Sequence, residues 1–278
     1  VDRYASALAD LPEDAPVGQA MRLADAAFGG NPAARGALES ALWDSTARRY
    51  GMPLWQLWGA EPGQMKPTSF TIGLGSTEEM QRKAAEASDY AVLKVKLGTT
   101  RDREIIQALR EVTDKPIRVD ANTAWTPKHA ARMCDWLADH GVELVEQPVK
   151  AKDLDGLQFV RERSPLPVIA DESVCIAADI PRLVGRVDGI NIKLAKCGGP
   201  TEALTMIRLA RVHGMQVMVG CMIESSVGVS TMAQLAPLVD YVDLDGNLLI
   251  ANDPFRGPAV THGVLQLGDA AGNGCHPV

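Results

Sequence analysis

Charges of both signs are interspersed along the 278 residues and sum to −7, which argues against a nucleic-acid-binding surface. No apolar run approaches the ~20 residues of a membrane-spanning helix, and no signal-peptide pattern stands at the start, although the sequence begins at Val1 rather than Met. With 46% hydrophobic and 23% charged residues, the composition is that of a soluble globular protein, and the length suits one large α/β barrel with a small appendage.

The five cysteines (Cys134, Cys175, Cys197, Cys221, Cys275) are odd in number and form no CxxC pair. Reduced thiols in a cytoplasmic protein are the expectation. The five histidines show no metal-ligand spacing, and none is placed by pattern to activate Cys221 as a nucleophile.

Residues 1 to about 62 read as helical. Asn31 and Pro32 start a helix as N-cap and first residue, and its apolar stripe runs to Gly51-Met52-Pro53, which ends it. From Pro67 onward the pattern changes to strand, helix, strand, helix. Strands are expected at Thr68 to Leu74, Tyr90 to Leu97, Pro116 to Asp120, Glu143 to Val149, Leu166 to Glu172, Gly189 to Ala195, Gln216 to Met222 and Tyr241 to Leu244. Helices fall between them, one opened by a capping-box pattern at Ser76 to Glu79 and another capped at Thr126-Pro127. Eight such units predict a closed parallel barrel. The alternative is a doubly wound open sheet, which usually carries a Gly-rich first turn, and no GxGxxG is present. The tail from Asn252 is rich in Gly and Pro and reads as irregular.

Polar residues collect at the expected strand ends: Lys94 and Lys96, Asp120, Glu146, Asp171, Lys196, then Asp243 and Asp245. The intervals from Lys96 through Asp120, Glu146 and Asp171 to Lys196 are 24, 26, 25 and 25 residues. That is about the length of one βα unit, so each unit delivers one group to the same barrel mouth. Lys94 and Lys96 lie two apart on a strand and so share a face, where two ammonium groups are costly unless anions meet them. Asp120, Glu146 and Asp171 would repel one another unless a cation sits among them; the hard oxygen set suits Mg²⁺, with Mn²⁺ possible. Taken singly, each carboxylate reads equally well as a helix cap or a surface ion pair. Lys196 on the far side of the trio gives a bound substrate an amine on each face. The Lys94 charge beside Lys96 favours Lys96 as a base. Lys193 has the weaker case, as a group that positions carboxylates or simply extends its amine to water.

These motifs in this order (KVK at 94–96, DAN at 120–122, EQP at 146–148, DES at 171–173, KLAKCGG at 193–199) resemble the enolase superfamily in its muconate-lactonizing-enzyme subgroup. The helix NPAARGALESALWD at 31–44 resembles that family's capping-domain helix. The resemblance implies a modified (β/α)₇β barrel over residues 63–250, a helical part of the capping domain at 1–62, and a C-terminal segment at 251–278 returning to it. It implies Mg²⁺ on Asp120, Glu146 and Asp171, with Lys96 and Lys196 as the acid/base pair and Lys94 as electrostatic support. It also implies a homo-oligomer and an N-terminal β-meander lid, which does not precede the helices in this sequence.

Proton abstraction beside a carboxylate makes a dianionic enediolate, which a divalent cation stabilises. Lysines on both faces permit removal on one side and return on the other, which is epimerisation or racemisation. Asp243 and Asp245 would face the barrel mouth together, suited to a substrate ammonium; a helix cap or an ion pair to an arginine such as Arg256 is the plainer alternative. A DxD here resembles the dipeptide epimerases, which act on dipeptides such as L-Ala-L-Glu at the C-terminal residue. Thr71, inward on the first strand, is a further expected substrate contact, and Gly220 to Ser226 is expected to shape the pocket. The alternatives are o-succinylbenzoate synthase, N-acylamino-acid racemase or cycloisomerase activity on the same frame, a Schiff-base aldolase, and an inactive binding or assembly protein. Neither nucleic acid nor membrane is an expected partner.

Overall fold

The computed structural model describes residues 6–12, 14–27 and 29–278. Part of the helical stretch expected from residue 1 therefore lies outside the described residues. The capping region contributes α1 (Val17–Ala27), α2 (Pro32–Arg49) and the single turn α3 (Leu54–Leu57). The Asn31 side chain accepts from the Ala34 N–H at 3.0 Å to start α2, removing one of the orphan donors every helix start leaves.

Eight strands follow in sequence order around one parallel sheet: β1 (Ser69–Ile72), β2 (Val92–Lys96), β3 (Ile117–Asp120), β4 (Val142–Glu146), β5 (Val168–Ala170), β6 (Gly189–Ile192), β7 (Gln216–Gly220) and β8 (Tyr241–Asp243). The ring closes between β8 and β1 through a parallel bridge from Thr68 to Val242. Two side chains reinforce that seam. Thr68 Oγ1 accepts from the Leu244 N–H at 2.8 Å, and Ser69 Oγ donates to Asp243 Oδ1 at 2.6 Å. The outer helices are α4 (Thr77–Glu86), α5 (Asp102–Arg110), α6 (Pro127–Ala138), α7 (Leu154–Arg161), the turn α8 (Leu194–Cys197), α9 (Pro200–Val212) and α10 (Ser226–Ala233). Among the described residues no helix is long and apolar enough to cross a membrane.

Strand alternation sorts the side chains. On β2, Leu93 and Val95 are fully buried in the main apolar core, while Lys94 and Lys96 share the other face and reach carboxylates of neighbouring strands. A small separate cluster of Leu144, Ile169 and Met218, with Tyr241 against it, forms the barrel floor. Arg118 crosses this layer, its guanidinium 5.1 Å from the Tyr241 ring centre and donating to the Val242 carbonyl at 2.8 Å. Apart from Arg118 the floor is apolar, and the carboxylates and lysines gather above it.

Several strands end two or three residues before the expected bounds, and the tail after Asn252, expected to be irregular, pairs Phe255–Arg256 with His276–Pro277 and Val260–Thr261 with Val264–Leu265. Between β5 and β6, where the strand–helix alternation calls for a helix, stands a 3₁₀ segment, Ala177–Leu183, with Pro181 inside it supplying no N–H. The sixth strand ends at Ile192 rather than Ala195, and the chain turns at once into α8. That turn is pressed by the capping region: a side chain at Gly36 of α2 would come within 3.0 Å of the Leu194 carbonyl. Gly198 and Gly199 end the turn at φ 84° and 136°, conformations glycine alone adopts cheaply. The C-terminal segment lies against α2, with Asn273 N–H donating to Asp44 Oδ1 at 2.7 Å and Arg48 to the Cys275 carbonyl at 3.2 Å.

Candidate active site

The barrel brings the strand-end groups to one mouth. β2 and β6 stand four strands apart in an eight-stranded ring, hence on opposite sides, with β3, β4 and β5 between them. Register places Lys96 beside Asp120 and Asp120 beside Glu146. Lys96 Nζ donates to Asp120 Oδ2 at 2.6 Å. Lys94 sits deeper, 2% exposed, with its ammonium 2.6 Å from Asp243 Oδ2, 2.7 Å from Glu146 Oε2 and 3.3 Å from Asp120 Oδ2. Burial works against its charge, but the three carboxylates, Asp243 foremost, outweigh that and hold its pKa well above the ordinary lysine value.

The loops that carry the acids are strained and pinned. Asn122, Thr123 and Gln147, which follow the ends of β3 and β4, take left-handed φ values of 43°, 66° and 37°, each costing on the order of 1–3 kcal/mol. Gln147 uses its whole side chain to hold that shape. Its Nε2 donates to Val149 O at 2.9 Å and Ser173 Oγ at 2.8 Å, while its Oε1 accepts from the N–H groups of Asp171 and Ser173. The end of β4 is thereby fixed to the end of β5, and Glu146 to Asp171.

On β6 the positions of two lysines resolve. Lys193 is the residue directly after the strand; its Nζ lies 2.8 Å from Asp171 Oδ2. Lys196 is not at the strand end, because β6 stops at Ile192 and Lys196 rides on α8. Its ammonium pairs with Asp171 Oδ1 and also donates to the carbonyls of Asp171 at 2.6 Å, Val174 at 3.1 Å and Asn191 at 3.3 Å. These contacts tie the β5 and β6 loops together. Asp171, between two ammonium groups, is held well below the usual carboxylate range despite its burial. Burial opposes the charge on Lys193, but Asp171 and Glu146 prevail and push it up to about 12.

Asn191, inward on β6, was not singled out from sequence. Its Nδ2 donates to Glu146 Oε1 at 2.7 Å, and its Oδ1 is buried without a partner. The available signal was an amide two residues before Lys193 on an otherwise apolar strand.

The carboxylates fit a hard divalent cation by one direct observation. Glu146 is fully buried, and its Oε2 has no hydrogen-bond donor, since the Lys94 ammonium 2.7 Å away is poorly aligned with it. Burial, then the charges of Asp120 and Asp171, raise Glu146 to about 7. A buried carboxylate crowded by two other acids is one that a further cation among them would stabilise. Among the described residues no three acidic, histidine or cysteine side chains are already drawn into a coordination sphere, because lysine ammoniums stand between the acids as counter-ions.

The two C-terminal aspartates are unequal. Asp243 is held by Lys94 and Ser69, and its pKa is lowered by Lys94 in spite of complete burial. Asp245 has no ion-pair partner among the described residues. Its Oδ2 accepts from the Thr71 N–H at 2.6 Å, and burial followed by the Asp243 charge raises it to about 6. Thr71 meets Asp245 through its backbone.

Residues 77–277 match the Enolase C-terminal domain-like family, and residues 6–59 match the mandelate racemase / muconate lactonizing enzyme N-terminal domain. The chain belongs to this family, within the enolase superfamily. It is 44% identical over 244 residues to the L-Ala-D/L-Glu epimerase of Bacteroides thetaiotaomicron, covering 87% of this chain and 64% of that protein, so it spans less than two thirds of that relative's length. Among solved structures, it resembles the dipeptide epimerase of Cytophaga hutchinsonii complexed with Mg and D-Ala-L-Val, with a TM-score of 0.92, 29% identity, and coverage of 99% of this chain and 78% of that one. The dipeptide epimerase of Enterococcus faecalis V583 complexed with Mg and L-Leu-L-Tyr superposes with a TM-score of 0.86 at 36% identity, over 93% of this chain and 77% of that one.

Proposed function

We propose that this chain is the catalytic part of a Mg²⁺-dependent dipeptide epimerase that inverts the α-carbon of the C-terminal residue. The observation that supports this reading is the position of Lys96 on β2 and Lys193 just after β6, four strands apart in the ring and paired with Asp120 and Asp171. Relatives named epimerases, two of them solved with Mg and a dipeptide, support it.

In this arrangement one lysine, as the neutral amine, takes the α-proton, and the C–H electron pair passes into the substrate carboxylate. The other lysine, as the ammonium, returns a proton to the opposite face, so the pair exchanges roles once per inversion. Which lysine starts as the base follows from the configuration of the substrate, since it is the one on the side of the α-proton. Asp120, Glu146 and Asp171 would hold the cation, whose chemistry is to offset the negative charge that develops on the substrate carboxylate oxygens. Lys94 pairs with Asp243 and Glu146 and offsets their mutual repulsion. Asp245, lacking a counter-ion, would receive the ammonium of the amino-terminal residue.

Exchange of the α-proton in ²H₂O with Mg²⁺, read by mass spectrometry, tests the class of substrate. Dipeptides should incorporate deuterium at the C-terminal residue, and N-succinyl and N-acyl amino acids should not. Preferential labelling of the N-acylated compounds would transfer the assignment to a racemase.

A further inference from the structure

Large apolar side chains crowd one sector of the barrel mouth while facing water. Leu74 follows β1, Met222 and Ile223 follow β7, and Leu248 and Leu249 follow β8; Ile223 is 68% exposed. Single exposed apolar residues are ordinary, but a contiguous group rimmed by polar residues marks a contact site. These loops are contiguous because β7, β8 and β1 adjoin around the ring. They are also bonded to one another. The Gly246 N–H donates to Cys221 Sγ at 3.2 Å, and a side chain at Gly246 would collide with the Met222 carbonyl. Asp245, at the foot of the β8 loop, is tied to β1 through the Thr71 N–H.

The charge in this sector has one sign. Residues 73–75, 221–225 and 245–250 contain Asp245 and Glu224 but no lysine, arginine or histidine. An acidic side chain placed among these loops would meet the charges of Asp245 and Glu224. An apolar one would cover surface now in water, at about 25 cal/mol per Å².

We infer that this sector is the subsite for the side chain of the amino-terminal residue of the dipeptide, and that it takes a bulky apolar side chain in preference to alanine or aspartate. The inference rests on the dipeptide reading above. Connectivity places it: the side chain branches from the carbon that bears the ammonium, so an ammonium at Asp245 sets that side chain within the β1, β7 and β8 loops. The C-terminal α-carbon meanwhile lies between Lys96 and Lys193.

The test is kcat/KM for α-deuterium incorporation with Mg²⁺ into L-Leu-L-Ala, L-Ala-L-Ala and L-Asp-L-Ala, for the full chain and for Ile223→Ser and Leu249→Ser. The wild type should favour the leucyl over the alanyl substrate by roughly tenfold or more and turn over the aspartyl one least. Both substitutions are at exposed positions, so melting temperature should hold while the Leu:Ala ratio narrows toward one. A wild-type ratio near one, or a ratio unmoved in both variants, overturns the subsite and leaves the dipeptide reading standing. Absence of exchange into all three overturns both.

Discussion

Lys94 and Asp243 form a buried ion pair, Nζ to Oδ2 at 2.6 Å, that joins β2 to β8 across the top of β1. It gives the two aspartates of the DxD different tasks. Asp243 already has its cation, whereas Asp245 has none among the described residues and is raised to about 6. Removing one partner of a buried pair leaves the other charge unpaired, at a cost of about 3–5 kcal/mol. Asp243→Ala leaves Lys94 still beside Glu146 and Asp120, so its loss of stability in urea denaturation should stay below that scale. Asp245→Ala breaks no ion pair and should instead raise KM for dipeptides by about tenfold or more.

Asp245 also sets a pH dependence. Its folded pKa lies above the unfolded carboxylate value, so its ionisation opposes folding: the favourable contribution is complete at low pH and is lost as pH rises through about 6. Asp245→Asn should accordingly be more stable than wild type at pH 8, by on the order of 1–2 kcal/mol. Substrate binding runs the other way. Below pH 6 the carboxylate takes a proton, and dipeptide KM should climb toward tenfold per pH unit. A KM flat from pH 7 to 5 would remove Asp245 from ammonium recognition.

Lys193 and Lys196 both reach Asp171 but should fail differently when truncated. Lys193→Ala should lower kcat by about 10²–10⁴, the range of a lost general acid or base, with a modest change in melting temperature. Lys196→Ala would strip a donor from the carbonyls of Asp171, Val174 and Asn191. Each buried acceptor left unmet costs about 1–3 kcal/mol, so its main effect should be on stability. Paired thermal melts and rate measurements separate the two.

The crowding of Glu146 by Asp120 and Asp171 makes a thermodynamic prediction that needs no turnover. Mg²⁺ at about 100 times its Kd should stabilise the wild type by roughly 3 kcal/mol, and Glu146→Gln should abolish most of that gain. Because Glu146 is raised to about 7 in the metal-free protein, the proton competes with the cation. Titration calorimetry should show affinity weakening as pH falls below 7.

Much of this site is legible in the sequence because a barrel repeats. Acids about 25 residues apart after apolar strands have few places to be except one mouth, and the shared face of Lys94 and Lys96 follows from strand alternation alone. Periodicity fails at β6. The 25-residue rhythm points to Lys196, but the strand ends at Ile192 and turns into α8, which leaves Lys193 at its tip. Gln147 was invisible for a related reason: its role comes from a left-handed backbone and four hydrogen bonds to later residues, none of which leaves a local pattern. Two aspartates two apart read alike on paper, and only their tertiary partners separate Asp243 from Asp245.

The two-lysine assignment is tested most directly by deuterium exchange measured separately from each epimer of one dipeptide in ²H₂O. Wild type should exchange the α-proton of both. Lys96→Ala should retain exchange from one configuration only, and Lys193→Ala from the other, while Lys196→Ala, if folded, should exchange both. A Lys193→Ala enzyme that exchanges both epimers at the wild-type rate would contradict the placement of the bases on β2 and β6.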